Sequence, residues 1–185
     1  MPIGLETPAN KIATAQAVLS LTLRLSAEVH SGRIGADIYA HEVNVVTGNS
    51  GLLLRAAPES TIADLKAGMG NLNVIALSAS ALTLDETLDE VFGKLTNEKD
   101  PNLSSIRIMV YQLRNAFAHN PWRAKWLIFP KYRNYYSIVL DEGSKFTFNA
   151  TNLDGKGVTP EQVGGLEFWV KVLQHCERLV SREQV

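Results

Sequence analysis

The sequence predicts a mainly α, α+β fold: a helical domain with a small antiparallel β-meander inserted before the last helix. Three observations carry that expectation. A capping oxygen followed directly by proline recurs at Thr7-Pro8, Asp100-Pro101 and Thr159-Pro160. Such pairs start helices, because the side chain caps a free N–H and the proline sits where no N–H is needed. Apolar residues recur at helical spacing at Leu103, Ile106, Val110, Leu113 and Phe117, and again at Val163, Leu166, Trp169, Val170, Leu173 and Val180. Between those stripes the period changes to two, at Trp126 and Ile128, then Tyr136, Ile138 and Leu140, then Phe146 and Phe148.

In chain order, a first helix is expected over about 8–31. From Gly32 to Pro58 the signals conflict, and the reading is mostly connection, with at most a short helix through Tyr39 to Val46. A helix over about 60–82 follows, weakened by Gly68 and Gly70. Thr83 and Glu86 have the spacing of a capping box and suggest a separate helix over about 84–95. The helix at 101–119 stops before Pro121, which turns Asn120 away from helical angles. The meander occupies about 125–150, with a turn at Asp141-Glu142-Gly143-Ser144. The last helix is expected over 160–182, started by Thr159 with Gln162 completing a capping box. No repeat or linker-like composition marks a boundary, so one domain over 1–185 is expected.

The 185 residues are 45% hydrophobic and 20% charged, which excludes disordered, collagen-like and coiled-coil readings. A chain of this size buries roughly 70% of its unfolded surface, enough to dispense with metal or disulfide staples. The single cysteine, Cys176, cannot form an internal bridge and fits no zinc spacing, which suits a reducing compartment. The apolar stretch Ile12 to Leu23 is too short to span a bilayer and lacks a signal peptide's basic start. A soluble cytoplasmic protein without a membrane segment is the expectation.

The net charge of −1 conceals an uneven distribution. From Pro101 to Leu140 there is no acidic residue, while Arg107, Arg114, Arg123, Lys125, Lys131 and Arg133 give +6, and the remainder carries −7. The same stretch holds Tyr111, Phe117, Trp122, Trp126, Phe129, Tyr132, Tyr135 and Tyr136, eight of the fourteen aromatics. Cations neutralise phosphates and rings stack on unstacked bases, so this interleaving suits a single-stranded nucleic acid. It equally suits a hairpin with core aromatics and a solvated basic face.

Most catalytic templates fail. There is no nucleophile elbow and no P-loop, and Gly68-Met69-Gly70 lacks the third glycine of a dinucleotide site. His41-Glu42 lacks the second histidine of a zinc protease, and His30 at a helix end has carbonyls to face. His175 and Cys176 are adjacent on a helix and point about 100° apart, so they make no nucleophile pair. No metal and no cofactor is expected.

What remains is Arg114-Asn115-Ala116-Phe117-Ala118-His119. An arginine, a following asparagine and a histidine at this spacing arise by chance about once in seventy-five such chains. Asn115 and His119 share a helix face with Gln112 and Ile108, while Arg114 lies on the flank beside Arg107 and Tyr111. The structural alternative is plain: arginine and histidine in a last turn satisfy carbonyls and the helix dipole, and Asn115 is then a surface amide.

This motif, near the end of an amphipathic helix in a small helical domain, resembles the HEPN superfamily (higher eukaryotes and prokaryotes nucleotide-binding), whose signature is arginine, a polar residue and histidine at this spacing. The match covers about twenty residues closely and the helix layout loosely, and the insertion at 125–150 departs from the compact all-helical pattern. The resemblance implies a HEPN-like bundle and a metal-independent endoribonuclease of toxin, antitoxin-regulated or defence type. Arg114, Asn115 and His119 are then catalytic, in a composite site completed by a second copy in a homodimer. Arg107, Tyr111, Trp122, Arg123, Lys125, Lys131 and Arg133 are the candidate RNA contacts. The alternative is a non-catalytic HEPN-type module that binds a nucleotide or a protein, such as an antitoxin or a separately encoded nucleotidyltransferase.

Overall fold

The computed structural model of the chain describes residues 7–47, 50–118 and 120–183. Within them lie four α-helices and two antiparallel strand pairs, a mainly helical α+β structure. In order these are α1 (Pro8–His30), β1 (Val43–Thr47), β2 (Ser50–Leu54), α2 (Ile62–Phe92), α3 (Pro101–Ala118), β3 (Tyr135–Val139), β4 (Lys145–Asn149) and α4 (Gly165–Glu183). The contacts divide the chain into two compact units, Met1–Leu19 with Val74–Val185, and Ser20–Asn73. The division passes through α1 and α2.

In the larger unit the expected helix starts are present. Thr7 Oγ1 accepts the N–H of Asn10 at 3.2 Å, and Asp100 Oδ1 accepts those of Asn102 and Leu103, both at 2.8 Å. The core of this unit includes Leu84 and Leu88 of α2, Ile106, Val110 and Leu113 of α3, and Trp169, Val172 and Leu173 of α4, all nearly or fully buried. Each such side chain contributes roughly 1.5–3 kcal/mol by leaving water. In that dry interior Trp169 Nε1 donates to Ser80 Oγ at 2.9 Å, and Ser80 donates on to the Leu77 carbonyl at 2.7 Å, so neither polar group is stranded.

Four expectations about elements need correction. The two helices expected at 60–82 and 84–95 are the single 31-residue helix α2. The Thr83–Glu86 box is not used, because Ala81, Leu84 and Leu88 continue the buried stripe at 3, 4 spacing and nothing interrupts the backbone. Its start is capped instead by Thr61 and Asp64, which exchange side-chain and backbone hydrogen bonds. By length and composition α2 could cross a membrane, although 33% of its most apolar stretch is buried in protein.

The last helix begins at Gly165 rather than at 160. Pro160–Val163 forms a separate 3-10 turn, ended by Gly164 and Gly165 at φ +88° and +84°. The Gln162 side chain still closes the box, taking the Thr159 N–H at 2.7 Å, and it also accepts Trp126 Nε1–H at 2.7 Å. The expected three-stranded meander has only two strands, with Tyr135 opposite Asn149 and Ile138 opposite Phe146. Trp126 and Ile128 are buried but pair with the loop after β4, through Trp126 N–H to the Lys156 carbonyl, Gly155 N–H to the Trp126 carbonyl, and Ile128 N–H to Asp154. β3 is tied to α3 by Asn102, whose amide donates to the Val139 carbonyl and accepts the Val139 N–H, each at 2.8 Å.

In the smaller unit the stretch read as connection or short helix contains a 3-10 turn (Ala36–Tyr39) and the β1–β2 hairpin, with Val43 opposite Leu54 and Val45 opposite Leu52. Its core is small: Val29, Leu65 and Met69 are buried, with Leu25, Ile34 and Tyr39 packed against them. His30 Nδ1 lies 2.7 Å from the Ser26 carbonyl, the helix-end role expected of it.

The glycine pair after the 3-10 turn yields a test. A Cβ on Gly164 would meet the Phe168 ring at 2.8 Å, whereas one on Gly165 meets nothing within 4 Å. Gly165→Ala is therefore expected to cost about 1 to 2 kcal/mol, from left-handed backbone alone, and Gly164→Ala clearly more. Urea denaturation of both variants checks the order.

Candidate nucleic-acid interface

α3 carries the motif and is almost enclosed. Besides the expected stripe, Arg107, Met109, Gln112, Asn115 and Ala116 are buried. Of the candidate residues, Arg107 is placed where it cannot meet RNA. It is 2% exposed, pairs with Asp89 at 2.7 Å and with Glu98 at 3.1 Å, and also donates to the Gly93 carbonyl. A buried guanidinium requires that many partners, so Arg107 is a structural clamp between α2, the 93–98 connection and α3.

Arg114 lies two turns further along α3 and is 37% exposed, with Nε 3.7 Å from Asp85 Oδ2. Its Nη1 donates to Asn115 Oδ1 at 3.0 Å. Asn115 is therefore not the surface amide of the structural alternative: it is 9% exposed and accepts from its neighbour. Gln112, on the same face, is fully buried, and neither of its amide atoms has a hydrogen-bond partner among the described residues. His119 lies outside the described residues.

Asp85 is the component that sequence reasoning missed. Burial, and then the nearby Asp89 carboxylate, push its pKa up to about 6, against the pull of Arg114 and Arg107. Only the arginine spacing of α3 hinted at a counter-charge on α2, and no motif in the sequence marks it.

Beyond α3, Asn120 Oδ1 accepts the N–H groups of Trp122 and Arg123 at 3.1 Å and starts a short turn. That turn presents Trp122, 58% exposed, with Arg123 and Lys125, neither of which has an ion-pair partner among the described residues. Two half-open clefts share these two cations. One, of about 340 Å³, is walled by Leu77, Phe117, Trp122 and Val158; the other, of about 400 Å³, by Ala116, Asn120, Trp126 and Leu127. The first reaches α3 at Phe117 and the second at Ala116, and Arg114 lines neither.

Tyr111 and Lys131 stand apart from these clefts. Tyr111 packs on Tyr132 at 5.8 Å between ring centres, and with Phe129, Pro130 and Lys131 they line a third hollow. Lys131 Nζ sits 4.8 Å from the Tyr132 ring centre. Arg133, expected as an RNA contact, is instead bound to Asp154 at 2.6 Å and to the Ile128 carbonyl at 3.3 Å, fastening the Trp126 segment. His175 and Cys176 are structural, as expected. His175 Nδ1 lies 3.3 Å from the backbone N of Asp141, and Cys176 is fully buried, its thiol pushed up to about 12. Among the described residues no three acidic, histidine or cysteine side chains gather as a metal site would require.

Comparison with known protein families, characterised proteins and solved structures finds no match.

Two outcomes follow from the charges. Arg107→Ala is expected to cost roughly 3 to 5 kcal/mol, because it strands Glu98 in the interior, whereas Arg123→Ala should change unfolding free energy by less than about 0.5 kcal/mol. For Asp85 the folded pKa lies above the ordinary value of 3.8, so the native state holds the proton longer than the unfolded chain. Its ionisation therefore destabilises the fold as pH rises through that window. Asp85→Asn should gain stability relative to wild type between about pH 4 and 7, measured by denaturation across that range.

Proposed function

We propose that the chain is a HEPN-type, metal-independent endoribonuclease that uses Arg114, Asn115 and His119. The observation that carries the reading is the pairing of Arg114 with Asn115 in the last turns of α3, directly before an exposed tryptophan and two cations, Arg123 and Lys125, that have no ion-pair partner among the described residues. A cytoplasmic toxin or defence role, and a homodimer, belong to the same proposal.

RNA cleavage of this kind proceeds by internal attack. The 2′-oxygen bonds to phosphorus, its proton passes to a base, the bond from phosphorus to the 5′-oxygen breaks, and that oxygen takes a proton from an acid. Histidine titrates in the range needed for both roles. One chain supplies one motif histidine, so a second copy would let one imidazole take the first proton and the other deliver the second. Arg114, always charged, would neutralise the phosphate as it gains a fifth oxygen. Asn115, by accepting from Nη1, fixes the guanidinium's orientation and leaves for the phosphate those donors not turned toward Asn115 or Asp85. The clefts on either side of Arg123 and Lys125 are of a size and character to take bases of a strand whose phosphates those cations meet.

One observation favours the non-catalytic alternative, a nucleotide- or protein-binding module, with an antitoxin or nucleotidyltransferase as the protein partner. Arg114 turns toward Asp85 and Asn115, and the clefts do not reach it. The decisive experiment incubates wild type, His119→Ala and Arg114→Ala with mixed RNA in chelator. Wild-type cleavage that falls at least about a hundredfold in both variants supports the enzyme. Equal cleavage by all three removes the motif from the chemistry. Binding without cleavage, weakened by Arg123→Ala and by salt, favours the module.

A further inference from the structure

Of the residues expected to touch RNA, Tyr111 and Lys131 lie outside the two clefts used above, in a hollow of their own. It is open and about 450 Å³ in volume, within the range of small-ligand sites, roughly 300–1,000 Å³. Tyr111, Phe129, Pro130 and Tyr132 line it, and its one charged group is Lys131. The rings are set by the fold itself. Tyr111 comes from α3, and Tyr132 ends the 3-10 turn Pro130–Tyr132. That turn is fixed by the Tyr132 N–H on the Phe129 carbonyl at 2.9 Å and by the Tyr136 hydroxyl, which donates to the Tyr132 carbonyl at 3.1 Å. Phe129 is 47% exposed.

Charge selects the class of ligand. No carboxylate lines the hollow, so a methylammonium or other cation of the kind aromatic cages take would meet only a like charge. Lys131 Nζ is held 4.8 Å from the Tyr132 ring centre and has no carboxylate partner among the described residues. Rings beside one ammonium match a base beside its phosphate, whereas a proline-rich peptide would use the rings and leave the ammonium idle. Position agrees. Tyr111 lies three residues before Arg114 on the same flank of α3, a rise of about 4.5 Å, while neither cleft reaches Arg114. The α2 carboxylates that meet this flank, Asp85 and Asp89, are taken up by Arg114 and Arg107. We infer that this hollow seats an unstacked base of single-stranded RNA, with the phosphate of that nucleotide on Lys131. The inference rests on the RNA-binding part of the reading above and not on its cleavage chemistry.

The test is fluorescence anisotropy of an end-labelled RNA of about twelve nucleotides, fully 2′-O-methylated so that no 2′-hydroxyl can attack and affinity is read apart from cleavage. Tyr111→Ala and Phe129→Ala are each expected to weaken binding at least about fivefold, and Tyr111→Phe, which keeps the ring, less than about twofold. Lys131→Ala should lower the slope of log affinity against log salt by about 0.7. Far-UV circular dichroism verifies folding; Phe129 and Lys131 are exposed, so they report on the hollow should Tyr111→Ala disturb α3. Wild type that does not bind the strand, or ring variants that bind it as tightly as wild type, overturns the inference. Ring-dependent binding of 5′-AMP or of a ten-proline peptide in calorimetry, with strand binding unchanged by the ring variants, gives the hollow to a free nucleotide or a protein and likewise overturns it. Because the probe cannot be cut, failure of the ribonuclease reading, seen with unmodified RNA, leaves this result standing.

Discussion

A guanidinium inside a helical core has to be met by charge, and Arg107 sets the arrangement of the larger unit on that account. Its partners come from the end of α2 and from the connection that follows, so the chain between Asp89 and Arg107 is tied into a fixed turn. The direction of α3 is settled there. Two turns on, Arg114 comes beside Asp85, one turn back along α2, as antiparallel neighbours must. The geometry of the motif is thus inherited from a clamp that has no part in the proposed chemistry. Asn102 does the same at the start of α3, binding β3 through both amide atoms.

The acid-free segment is basic in sequence but not uniformly basic in space. Arg107, Arg114 and Arg133 draw their carboxylates from outside it, from Asp89, Glu98, Asp85 and Asp154. Arg123, Lys125 and Lys131 have no carboxylate partner among the described residues, and two of these three share the clefts at the end of α3. A charge count therefore gives twice as many cations as lack a carboxylate partner among the described residues, and pairing rather than burial decides which. The aromatics divide similarly. Trp126 and Phe148 build the core with rings 5.6 Å apart, while Trp122 is left outside.

Features encoded in a few neighbouring residues were legible in the sequence. The Thr7 and Asp100 starts and the α3 and α4 stripes need only local spacing and are present, and the Thr159 capping box is present too, though it opens a 3-10 turn rather than α4. What depended on tertiary contacts was not. Thr83 and Glu86 carry a start signal that the buried stripe of α2 overrides, and Trp126 and Ile128 alternate like a strand but pair with residues thirty positions later. The β1–β2 hairpin was readable in part, since Val43 to Thr47 is rich in β-branched residues and Leu52 to Leu54 is an apolar run. Glycines and competing helix cues in the same stretch obscured it. At the site, the partners of Arg114 were only half visible. Asn115 is its sequence neighbour, but Asp85 lies about thirty residues away and only folding brings it near.

Cys176 has a practical consequence. The chain's one thiol is fully buried among core side chains and shifted well away from the thiolate form that reacts with maleimides or oxidants. The folded protein thus offers thiol reagents no reactive cysteine without any substitution. Two cysteines introduced on exposed positions of one compact unit would carry spin labels alone, so the distance between them could be measured in the otherwise native sequence.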